Sequence, residues 1–206
     1  MKSIHFSSRW SVIASVVALT ACGGGDALQA QNTTTTSPNT AVAVATTAAA
    51  TITDIAYASV SSAQKLDVYV PDGSGPFPAV LLIHGGAFMM GDKGGESGNA
   101  KALTAKGYVA VSVNYRLSGE ARFPAAVHDV KAAVRFVRAN AATYRINPSK
   151  IGSWGASAGG NLSAMLGTTA GVADLEGADL GHADQSSRVL ASVDWFGPID
   201  FLTMDT

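Results

Sequence analysis

The chain has 206 residues, of which 14 are Lys or Arg and 15 are Asp or Glu, for a formal net charge of −1. That balance excludes a nucleic-acid binder, which needs a basic stripe to neutralise phosphates. Apolar residues make up 47% and charged residues 14%, which suits one domain with a buried core, although alanine and the N-terminus inflate the apolar share.

The N-terminus reads as a secretory signal. "MKSIHFSSR" carries Lys2 and Arg9, "WSVIASVVAL" is an apolar run of ten, and small residues follow. A transmembrane helix needs about 20 apolar residues, so this run is too short to span. Cys22 is the only cysteine, which leaves no disulfide to form within the chain. The tetrapeptide "LTAC" resembles the lipobox of bacterial lipoproteins. That resemblance implies cleavage before Cys22, diacylglyceryl attachment at its sulfur, and a place in the bacterial cell envelope, exported and anchored to a membrane. Several acyl chains hold a soluble domain stably where one does not. Residues 22–51 are rich in Thr, Asn, Gly and Ala with few large apolar side chains. They read as a flexible tether, because they cannot offset the entropy of ordering.

The pattern changes at about residue 52. "TDIAYASV" (53–60) and "KLDVYVP" (65–71) alternate as two strands joined by the turn "SSAQ". "AVLLIHG" (79–85) is a continuous apolar run, as for a strand covered on both faces. A helix over about 97–106 leads to a second buried strand, "YVAVSVNY" (108–115). The clearest helix is "PAAVHDVKAAVRFVRANAA", opened by Pro124, with Val127, Val130, Val134 and Val137 on one face. "KIGSWG" (150–155) is a third strand of the buried type, "AGGNLSAMLGTTA" a helix, and "VLASVDWFG" (189–197) another strand. Strands alternating with helices predict an α/β fold, a mostly parallel sheet with helices on both faces.

Two glycine-rich motifs follow strands in this order, "HGGAF" after the third and "GASAG" after the fifth. With "HGGAFMMGDK", the long stretch from "GYVAVSVNYRL" to "GASAGGNLSA", and "DWFGPIDF", the chain resembles the α/β-hydrolases. More narrowly, it is similar to the esterases with an HGG(G/A) loop, including feruloyl and acetyl esterase-like domains. Gly155-Ala156-Ser157-Ala158-Gly159 fits the nucleophile elbow G-x-S-x-G, in which a strained serine stands between strand and helix and flanking glycines avoid a Cβ clash. Ser157 is therefore the candidate nucleophile. The candidate oxyanion hole is Ala158, the residue after the nucleophile, with loop donors Gly86 and Ala87 and with Gly85 permitting the turn. Alanine at 87 replaces the commoner third glycine but keeps its N–H.

A serine hydroxyl needs a base. By the resemblance His84 is structural; His5 lies in the signal, His128 on a helix flank, and His182 in a polar loop. Arg116 and Asp129 read as an ion pair tying strand to helix, and Asp194 and Asp200 sit around the sixth strand. By the resemblance, the triad acid and histidine follow later strands, so the hydrolase domain reads as incomplete at its C-terminus and this chain alone as inactive. The sixth strand, internal in the resembled fold, would then be an open apolar edge. The leading function is a carboxylic ester hydrolase acting on a small-molecule or polysaccharide-linked ester, acetyl or feruloyl among them. No metal or organic cofactor is implied. The alternatives are a serine peptidase of the same fold and a catalytically silent surface-binding protein.

Overall fold

The computed structural model describes residues 48–204; the signal, Cys22 and most of the tether lie outside the described residues. Among the described residues six strands form one sheet: β1 (Ala50–Ala56), β2 (Lys65–Val70), β3 (Phe77–Ile83), β4 (Val109–Val113), β5 (Ile146–Ala156) and β6 (Ser192–Trp195). Three helices connect them: α1 (Ser97–Thr104), α2 (Ala125–Ala139) and α3 (Ala158–Thr168). The strand order is β1-β2-β4-β3-β5-β6. The pairs β4–β3, β3–β5 and β5–β6 are parallel, whereas β1–β2 and β2–β4 are antiparallel. The sheet is thus mixed at one edge and parallel through the rest.

The central strands β3 and β4 are largely apolar on both faces because helices cover both. Side chains alternate with the pleat. Leu81, Ile83, Val109, Val111 and Val113 join Val127, Val130, Val134 and Val137 of α2 and Leu162 and Leu166 of α3 in the main core. Tyr69, Leu82 and Ala110 face the other way, where Ala100 of α1 closes a smaller core. The valine stripe of α2 is therefore its buried face, with none of the four more than 2% exposed. Pro124 precedes the first helical residue, a position where its missing N–H costs no helix bond.

Element bounds differ from the sequence reading where side chains intervene. β1 starts at Ala50, because Ala50 and Thr51 pair with Val70 and Tyr69. It ends at Ala56 because Gln64 captures the following turn: its Oε1 accepts from the N–H groups of Val60 and Ser61, and its carbonyl accepts from Tyr57. Lys131 and Arg135 on α2 are fully buried cations. Lys131 Nζ donates to the Thr169 carbonyl and to Glu176, and Arg135 to the carbonyls of Glu176, Gly177 and Gly181. These charge-assisted bonds offset the desolvation and fasten the segment after α3 onto α2. β6 is the outer strand beyond β5, and its four residues are exposed.

Candidate active site

Ser157 stands between the end of β5 and the first turn of α3, with φ 56° and ψ −123°. A non-glycine residue rarely holds a positive φ, and here the surroundings enforce it. Its N–H donates to the Trp195 carbonyl of β6 (2.8 Å), and its carbonyl accepts from Asn161 (3.0 Å). Close approach explains the glycines. A Cβ on Gly155 would lie 2.2 Å from the Gly159 carbonyl oxygen, and one on Gly159 would lie 2.0 Å from that of Ile83. Strand β3, strand β5 and helix α3 converge there backbone to backbone. The Ser157 hydroxyl makes no hydrogen bond with the described residues.

The glycine-rich loop after β3 abuts this elbow. A Cβ on Gly85 would stand 2.9 Å from the Ala156 carbonyl oxygen and 3.4 Å from Ser157 Cβ. Three successive residues then take positive φ: Gly86 at 116°, Ala87 at 52° and Phe88 at 61°. Only glycine fits at 86, where a Cβ would fall 2.0 Å from the Met90 carbonyl oxygen. The Gly86 carbonyl turns inward to accept from Met89 and Met90 (2.9 and 3.0 Å). Among the described residues, no backbone carbonyl takes the N–H of Gly86, Ala87 or Ala158. Ala158 also opens α3, whose dipole presents partial positive charge at that end. The loop, the elbow and the helix start are thus juxtaposed.

His84 is not aimed at Ser157. It is 4% exposed, stacks on Tyr115 at 4.4 Å, and places Nδ1 2.7 Å from the Gly85 carbonyl oxygen. Burial lowers its pKa, and the Gly85 bond opposes that only in part. Tyr115 donates its hydroxyl to the His84 carbonyl (3.0 Å), and burial pushes the phenol's pKa up. His128 is half-buried, with Nε2 2.9 Å from the Asp174 carbonyl oxygen, a closer fit than the solvated flank read from the sequence. His182 packs edge-on against Phe136, near the end of α2. Because α2 returns from the end of β4 to the start of β5, that end lies opposite the elbow.

Asp129 is fully buried, and its carboxylate takes the backbone N–H, Nε and Nη2 of Arg116 together with Nε2 of Gln64. It ties β4's exit to α2, the structural role read from the sequence, and Gln64 is the partner that reading lacked. Asp194, exposed on β6, accepts from the Gly197 N–H at Oδ1, and Asp200, exposed beyond β6, accepts from Leu202.

An apolar cavity of about 570 Å³ opens one turn along α3 from Ser157, lined by Phe88, Phe123, Asn161, Leu162, Met165 and Phe201, among others. A second, of about 620 Å³, lies between Arg138, Pro148 and Arg188 at the opposite end of the parallel strands, away from the elbow.

The mostly parallel sheet, the strand-turn-helix at Ser157 and the glycine loop after β3 define an α/β-hydrolase fold of the esterase group. The BD-FAE family model matches residues 66–206, and the chain belongs to that family. Among solved structures, a bifunctional GH43-CE protein of Bacteroides eggerthii is 45% identical with a TM-score of 0.69, over 73% of this chain and 21% of that one. A truncated form of a carbohydrate esterase from gut microbiota is 41% identical with a TM-score of 0.70, over 73% and 57%. A probable carboxylic ester hydrolase of Mycobacterium tuberculosis, LipM, is 32% identical over 152 residues, 72% of this chain and 35% of that protein. The chain thus spans about a third of that curated relative's length.

Proposed function

We propose that the chain carries the nucleophile and oxyanion half of a serine carboxylic ester hydrolase. The observation that carries this reading is the close approach of Gly85 to the Ala156–Ser157 elbow, which sets a loop of uncommitted N–H groups beside a strained serine. Ser157 Oγ attacks the ester carbonyl carbon, and the oxygen that gains charge takes N–H bonds from Ala158, Gly86 and Ala87. The tetrahedral intermediate collapses with loss of the alcohol, leaving an acyl-enzyme that water hydrolyses with return of the serine proton. The proton acceptor is a histidine oriented by a carboxylate, outside the described residues, since His84, His128 and His182 are each engaged elsewhere. The apolar cavity beside α3 suits the acyl group of an ester, and the carbohydrate esterase among the similar structures favours an alcohol part that is a saccharide. The "LTAC" tetrapeptide supports attachment of the exported domain to a membrane at Cys22, with the following residues as tether.

The test is hydrolysis of p-nitrophenyl acetate and butyrate by the native protein from its host, beside peptide p-nitroanilides and beside Ser157→Ala. Ester turnover that falls by about 10⁶ in Ser157→Ala is the expected result. Turnover of peptides alone favours the peptidase reading, and no turnover at all by the folded protein rejects catalysis.

A further inference from the structure

The run of positive φ at Gly86, Ala87 and Phe88 is held within the loop only by the Gly86 carbonyl, and the structure shows what grips the segment beyond it. Asp67 on β2 and Ser112 on β4 face each other directly in the antiparallel pair, so their side chains leave the same side of the sheet. Both reach Lys93, just beyond the loop. Lys93 Nζ lies 2.8 Å from Asp67 Oδ1 and 3.0 Å from Asp54 Oδ1. The Ser112 hydroxyl donates to the Lys93 carbonyl. Asn114, two residues further along and on the same face, accepts from the Lys93 N–H. Asp54 is brought in by an irregularity in β1 between Ile52 and Ile55, where its N–H donates to Asp67 Oδ1 (2.8 Å). Four side chains from three strands thus hold one residue by its N–H, its carbonyl and its ammonium group. Asp67 is 5% exposed and Ser112 not at all, so two of the holding contacts are shielded from water. Burial works against the Lys93 ammonium, but Asp67 and Asp54 outweigh it and raise its pKa, so it stays charged.

Resting on the ester-hydrolase reading above, we propose that Lys93, clamped by Asp67, Asp54, Ser112 and Asn114, is a positioning residue that fixes residues 85–88 for oxyanion binding. Lys93 touches no reacting atom; it acts through the loop backbone. Near the elbow the loop is fixed by Gly85 packing and by the His84–Tyr115 stack, and midway by Ser118 donating to the Phe88 carbonyl (2.7 Å). Without the clamp, the segment between Phe88 and α1 keeps the close packing of Gly91 on Gly85 and His84 and the bonds within the loop, but loses its ties to β1, β2 and β4. The Gly86 and Ala87 N–H groups would then sample orientations off the developing charge.

The experiment compares wild type, Lys93→Met, Asp67→Asn and Lys93→Arg in the native full-length protein by p-nitrophenyl butyrate kinetics and amide hydrogen exchange. A misplaced donor set predicts that kcat falls by about 10- to 100-fold in Lys93→Met and Asp67→Asn with KM within about twofold, and that Lys93→Arg recovers most of it. Amide exchange at residues 85–91 should quicken by about tenfold while the strands β3 and β5 stay as in wild type. Unchanged kcat in a folded variant, or exchange that quickens equally across β3 and β5, overturns the proposal, the latter reducing Lys93 to a general stabiliser. Should both charge-removing variants fail to fold, Ser112→Ala leaves every charge in place and is read by the same two measurements, with about a threefold loss of kcat expected. If wild type hydrolyses no ester, the function proposed above fails, and exchange at residues 85–91 still decides whether Lys93 holds the loop.

Discussion

Gly159→Ala sets two physical effects against each other. In a helix interior alanine is favoured over glycine by about 1 kcal/mol, so propensity alone predicts a more stable protein. Position 159 is the second residue of α3, however, and its ideal Cβ would stand 2.0 Å from the Ile83 carbonyl oxygen and 2.8 Å from that of His84. The first separation is more than about 1 Å short of van der Waals contact, and both obstacles are backbone, so no rotamer change relieves them. Relief requires α3 to back away from β3, which disturbs the core around Ile83 and Leu162. Overpacking of this kind costs about 3 kcal/mol, which leaves a net loss of about 2 kcal/mol. In a protein of this size that lowers the melting temperature by about 4–8 °C. The internal control is Gly98→Ala in α1, where the glycine is exposed and a Cβ meets nothing within 4 Å. There the same substitution should stabilise by about 0.4–1 kcal/mol. Urea and thermal unfolding of both variants decide the matter. Gly159→Ala as stable as wild type, or more so, would refute the argument from backbone contact.

Three further outcomes follow from the geometry. Asp129→Asn strips the charge that Arg116 and Gln64 share in the interior, and should cost about 3 kcal/mol in urea unfolding, with Arg116→Met costing at least as much because it leaves the fully buried carboxylate without its cation. Because burial lowers the pKa of His84, the unfolded chain binds its proton more tightly than the folded one. The stability due to His84 is therefore complete above the ordinary histidine range, near pH 6.5, and drains away as pH falls through the lowered folded value. A urea midpoint measured against pH should fall on acidification, and less steeply in His84→Gln. Cys22→Ser should move the protein from the membrane pellet to the soluble fraction of its host and abolish labelling with radioactive palmitate; retention in the pellet would rule out the anchor.

The parts legible in the sequence are those governed by local chemistry. The valines of α2 recur at helical spacing and are buried together, and the glycines of "GASAG" follow from the tight strand-turn-helix, in which Gly155 meets Gly159, although their packing on the Ile83 carbonyl of β3 is not visible in the motif. What sequence reading missed depends on partners far along the chain. The buried state of Lys131 and Arg135 rests on carbonyls of residues 169–181, for which no periodicity gives a sign. The antiparallel pairing of β2 with β4 is likewise invisible in either strand, and with it the clamp at Lys93. One signal was present there: Asp67 interrupts the apolar strand "KLDVYV", and a carboxylate in a buried strand calls for a cation. Gln64 escaped notice for the opposite reason, since glutamine in a turn is ordinary on a surface, whereas here it is fully buried between the turn and Asp129.

The most direct measurement on the central claim is covalent labelling. Native protein extracted from its host is treated with a fluorophosphonate, which phosphonylates only an activated serine hydroxyl, and is then digested and mapped by mass spectrometry. The account predicts one adduct, on the peptide containing Ser157, absent from Ser157→Ala. A folded, full-length protein that takes no label, or one labelled at another serine, would contradict it.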